Sequence, residues 1–158
     1  MSDAWRHGVP YGLVLFVLAL LSNVPYFIPA FSDQALQVCA DVFLLAALAV
    51  YVEAGRRTAR QSGKMRFAGL AGGIAGFMAA LESILQHALL SVAPGYDRFV
   101  SDLYGHTRFL AAMKLQSGAA AMAGIMGAVV ATVLMGVVVA LLGGTVGILA
   151  RRTEHAHG

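Results

Sequence analysis

The sequence predicts an all-α integral membrane protein, a bundle of four transmembrane helices with both termini on the cytoplasmic side. Three observations predict it. The 158 residues are 59% hydrophobic and only 12% charged, with mean hydropathy +0.75, whereas a soluble domain is nearer ~25% charged. Apolar stretches recur that can cross ~30 Å of hydrocarbon at ~1.5 Å of rise per residue. The basic residues gather where those stretches end. No stretch outside them is long enough for a second globular unit, so residues 1–158 read as a single membrane domain.

The first segment runs from about Tyr11 to Ala30, with Pro25 and Pro29 in its second half. Either proline can kink the helix or end it early. Arg6 and His7 ahead of an apolar run resemble the start of a signal peptide. No good small-x-small cleavage site follows the run, which favours a retained spanning helix. The second segment runs from about 35 to 54, after a polar turn in which Ser32 or Asp33 is the N-cap. A basic linker, residues 55–66, leads to the third segment, about 67–91. The fourth is expected at about 117–146, with a longer helix from about 107 as the alternative. Between the third and fourth, Phe99, Val100 and Leu103 can form a short interfacial helix. Tyr96, Tyr104 and Phe109 suit the headgroup level.

Orientation follows from Lys and Arg. Arg6, Arg56, Arg57, Arg60, Lys64, Arg66, Arg151 and Arg152 fall on one side. Arg98, Arg108 and Lys114 fall on the other. The richer side is expected to be cytoplasmic, and the expected setting is a prokaryotic-type inner membrane. Basic charge distributed in this way argues against nucleic acid as a partner. The single cysteine, Cys39, excludes an intrachain disulfide.

The apolar run that contains the fourth segment, Gly118 to Ala150, is longer than one crossing needs. It must tilt, break at Gly143-Gly144 or project beyond the bilayer. It carries small residues at every fourth position: Ala120, Gly124, Ala128, Thr132, Gly136, Ala140 and Gly144. The third segment has its own row, Ala71, Ala75, Ala79 and Ser83, with Gly72, Gly76 and Ala80 beside it. Small-xxx-small rows let backbones approach closely. They predict a tight pair of segments three and four, or faces used in a homo-oligomer or against partner membrane subunits. A weak echo, Ala54 to Thr58 against Leu149 to Thr153, is explained by basic stop signals at two cytoplasmic ends, or by two parallel hairpins.

The residues that invite a function are polar ones inside apolar segments. A carboxylate near mid-membrane costs at least ~2.5 kcal/mol on insertion scales and is rarely there without a partner or a task. Glu82 lies sixteen residues from Arg66, about 24 Å above it along a helix. Asp41 lies fifteen from Arg56, about 22 Å up. Asn23 lies seventeen from Arg6, about 25 Å up. Three polar residues on three segments therefore share one level. Gln86 follows Glu82 by one turn on the same face, and His87 adjoins it.

Two carboxylates close together in low dielectric need a shared proton or a cation. Glu82, Asp41, Asn23, Gln86 and His87 thus form a candidate ion or substrate site, and a bound cation is the cofactor it implies. The same residues also read as structural glue, with a neutral Glu82 bonded to Gln86, Asn23 or a backbone carbonyl. His87, Met122, Met126 and Cys39 are the candidate ligands for a softer metal such as Cu(I), against methionine as simple gap-filler. There is no P-loop, dinucleotide fingerprint, CxxC, HExxH or Gly-x-Ser-x-Gly to mark an enzyme. The expectations are, first, an oligomeric cation- or proton-coupled transporter or channel. The second is a non-catalytic accessory or assembly subunit of a larger membrane complex. The third is a quinone- or metal-handling membrane protein.

Overall fold

The computed structural model describes residues 2–28, 32–90 and 117–156. Among them the chain is all-helical: α1 (Ser2–Asn23), a 3₁₀ turn (Val24–Phe27), α2 (Asp33–Ser62), α3 (Met65–Leu90) and α4 (Ser117–Ala156). Three of the four α-helices contain stretches long and apolar enough to cross a membrane: Ala4–Asn23, Gln34–Ser62 and Met126–Thr153. Arg98, Arg108, Lys114, the aromatic trio and the expected interfacial helix lie outside the described residues, as does a fourth helix starting near 107.

The helix bounds depart from the sequence expectation in instructive ways. α1 starts at Ser2 rather than Tyr11 and runs straight through Pro10. Packing outweighs the proline there: Ala4 is buried, and Gly8 lies against Ile74 and the Ala71 carbonyl of α3. Pro25 does end the helix, because the chain tightens into 3₁₀ geometry directly after Asn23. Ser32 is the N-cap of α2, its Oγ accepting from the Ala35 amide at 3.2 Å.

The basic linker is a correction. Residues 55–62 are the last two turns of α2, and only Gly63 and Lys64 separate α2 from α3. Nothing in Gly55-Arg56-Arg57 stops a helix whose side chains find partners. Glu53 takes Arg56 at 2.7 Å and Arg57 at 2.5 Å, the i,i+3 and i,i+4 spacings that a helix brings together. The stop comes at Gly63, with φ +69°, in the left-handed region that glycine enters without steric cost.

Nor does α4 break at Gly143-Gly144. It runs unbroken for 40 residues, about 60 Å. These two glycines are where its neighbours touch it. Gly143 meets the Val52 backbone of α2, and Gly144 meets Ala68 of α3.

Contacts fix the arrangement. α3 packs against α1 and α4, α4 also packs against α2, and α1 and α4 scarcely meet. The pairing of Val52 with Gly143 and of Arg56 with Gly147 makes α2 and α4 parallel. The pairing of Gly72 with Gly136 and of Gly76 with Thr132 makes α3 and α4 antiparallel. The expected small-residue rows serve this packing. Ala71, Ala75 and Ala79 are buried, with Ala71 and Ala75 facing Gly8 and Gly12 of α1. Gly72 and Gly76 face Gly136, Ala140 and Thr132 of α4. α3 is therefore small on two faces at once, which lets it sit between two helices.

Tyr51, 1% exposed, fills the space so made. It forms one buried cluster with Leu15 of α1 and Ala75 and Ala79 of α3, against which Met135 and Val139 of α4 pack. The basic end is closed by two contacts. His7 Nε2 and Gln61 Oε1 lie 2.8 Å apart, and the Arg151 guanidinium covers Gly63. The start of α1, the α2–α3 turn and the last turns of α4 thus share one end of the bundle, as the charge pattern predicts.

Candidate functional site

α1 ends at Asn23 because Pro25 bars further α-helix, which leaves the asparagine on the last turn beside α3. Its Nδ2 donates to the Ala19 carbonyl at 2.7 Å and to Glu82 Oε1 at 3.0 Å. Glu82 is 3% exposed. It follows Ala79 by three residues and Ala75 by seven, so it continues the stripe of α3 that packs on Tyr51. The acid is therefore enclosed between helices, and its neighbour is an amide from a different helix.

The sequence-predicted cluster is brought together only in part. Asn23 and Glu82 meet. Asp41 instead lies on an exposed face of α2, where Gln37 Nε2 donates to its Oδ1 at 3.2 Å. The pairing of the two acids is thus replaced by two separate contacts, Glu82 with Asn23 and Asp41 with Gln37. The physical reason is rotation. Equal depth puts residues at one level, but the face each helix turns inward is chosen by packing, and α2 turns Tyr51, Ala54 and Thr58 inward.

Gln86 and His87 continue α3 beyond Glu82, and their side chains lie outside the described residues. The soft-metal candidates fare unevenly. Met126 is exposed and Cys39 is partly buried, while the Met122 side chain lies outside the described residues. Among the described residues no group of three or more His, Cys, Asp or Glu is placed to hold a metal ion.

Two features went unread in the sequence. Glu53, with its bidentate contact to Arg56 through Oε1 and Oε2 at 2.9 and 2.7 Å, anchors the basic end of α2. Its spacing to Arg56 and Arg57 was the available signal. Tyr51 had no such signal, because one aromatic among small residues reads the same whether it faces a core or lipid.

A buried carboxyl with one amide donor can exchange a proton, help hold a cation, or lock α1 to α3. No protein-family model, curated protein or solved structure matches this chain.

Proposed function

We propose that the protein is a four-span membrane protein in which Glu82, held by Asn23, is the coupling group of a proton- or cation-dependent transporter or channel. All four helices cross the bilayer, with both termini and the α2–α3 turn on the cytoplasmic side of a prokaryotic-type inner membrane. The observation that carries the reading is the enclosure of Glu82, 3% exposed, against Asn23 of another helix. A carboxyl is costly to keep in hydrocarbon, and the usual return on that cost is an ion or proton pathway. Gln86 and His87 follow Glu82 in the sequence of α3, toward the opposite end from the basic turn. The test is flux in proteoliposomes driven by a proton or sodium gradient. Glu82→Gln abolishes flux while the protein keeps its fold, and unchanged flux in that variant removes the proposal.

A second reading is favoured by Asp41. It stands exposed with Gln37 on a face of α2 that also presents Val38, Val42 and Leu45, the last 66% exposed. A carboxylate at that depth is poorly suited to acyl chains. The face fits a second copy or a partner membrane subunit, as an accessory or assembly subunit requires. Cysteine cross-linking from Val42→Cys in a Cys39→Ala background tests it in native membrane. A cross-linked band supports the interface, and monomer alone counts against it.

A further inference from the structure

α1 and α4 both lean on α3 but not on each other, and the strip of α3 left between them is a groove of about 770 Å³. Gly69 and Gly73 form its floor, Phe77 and Leu141 are among its walls, and Trp5 and Arg66 stand at its basic end. We infer that this groove holds one acyl chain of an anionic phospholipid, with the lipid's phosphate at Arg66.

Length, charge and position support this occupant. From Arg66 to Phe77 the groove follows eleven residues of α3, about 16 Å. That is half of the ~30 Å hydrocarbon core, the depth of one leaflet. Apart from Arg66 the lining is apolar or glycine, except for the indole N–H of Trp5. Arg66 is exposed and has no carboxylate partner among the described residues. Its guanidinium lies over the Phe67 ring, 5.0 Å from the centroid, which holds the cation at the mouth of the groove. Trp5, 55% exposed, sits beside it, and indole rings favour the headgroup level. The glycines matter because they leave the floor bare. A Cβ at Gly73 would come within 3.2 Å of Val137 Cγ2, narrowing the groove.

The proposal rests on membrane insertion but not on the chemistry of Glu82. Trp5 is the only tryptophan in the chain and lines the groove, so its fluorescence reports on lipid at this end of it. The experiment reconstitutes the full chain in vesicles of phosphatidylcholine. Either phosphatidylglycerol or phosphatidylcholine brominated on its acyl chain is then titrated in, and quenching gives relative affinity. Phosphatidylglycerol is expected to bind about five-fold more tightly, the effect of one basic residue on an anionic lipid. Arg66→Gln removes that preference and Lys64→Gln leaves most of it. Gly73→Leu weakens quenching by both lipids. Equal quenching of the native protein by the two lipids overturns the proposal. So does an equal loss of preference in Lys64→Gln and Arg66→Gln, which would mark a diffuse surface potential. No quenching by either lipid would overturn membrane insertion itself, and with it the reading above.

Discussion

Gly55 of α2 lies flat against the Ala140 carbonyl of α4, so close that a Cβ on Gly55 would overlap the carbonyl oxygen. The obstacle is backbone, which cannot swing aside as a side chain can. Gly55→Ala therefore forces two parallel helices apart, and overpacking of this kind costs roughly 1–3 kcal/mol. Gly127, further toward the start of α4, meets nothing within 4 Å among the described residues, and Gly127→Ala is expected to gain roughly 0.5–1 kcal/mol from helix propensity. Thermal unfolding of the two variants in detergent should move in opposite directions.

The contact between Asn23 and Glu82 separates a structural role from a coupling role. Asn23→Ala leaves a buried acid without its amide donor, a loss of about 1–3 kcal/mol. Glu82→Gln keeps an oxygen that can accept from Asn23, so its stability stays within about 1 kcal/mol of the native protein. The same Glu82→Gln protein is the one expected to lose flux. A double-mutant cycle on the two positions should show coupling of roughly 0.5–3 kcal/mol.

Tyr51 is the largest side chain fully enclosed among the described residues. Tyr51→Ala empties the space between α1, α3 and α4, and removal of a buried aromatic ring costs roughly 3–5 kcal/mol. Tyr51→Phe preserves the volume and is expected to cost less than about 1.5 kcal/mol. Chemical or thermal denaturation of both variants checks the ranking.

Orientation is open to direct labelling. In a Cys39→Ala background, Thr153→Cys in inside-out vesicles should react with a membrane-impermeant maleimide. The same variant in right-side-out vesicles should stay unlabelled. The reverse pattern would invert the orientation that the Lys and Arg distribution predicts.

Composition and spacing alone gave long apolar helices without their exact ends, a gathering of Arg56, Arg57, Arg60, Arg151 and Arg152 toward one side, and similar heights for Asn23 and Glu82. Those properties follow from composition and from the fixed rise of a helix, so they can be counted along the chain. The sequence also placed the rows of small residues, Gly72, Gly76, Gly136 and Ala140 among them, without deciding whether they pair within one chain or between chains. The packing of the folded chain shows them meeting inside it. It also decided that Glu82 turns toward Asn23 while Asp41 turns outward to Gln37, and that α2 runs on past Arg57 to Gly63. The reason is that rotation about a helix axis leaves little mark in an almost uniformly apolar segment. Which face turns inward is settled by close packing against neighbours, and the small residues of α3 allow that packing on two sides.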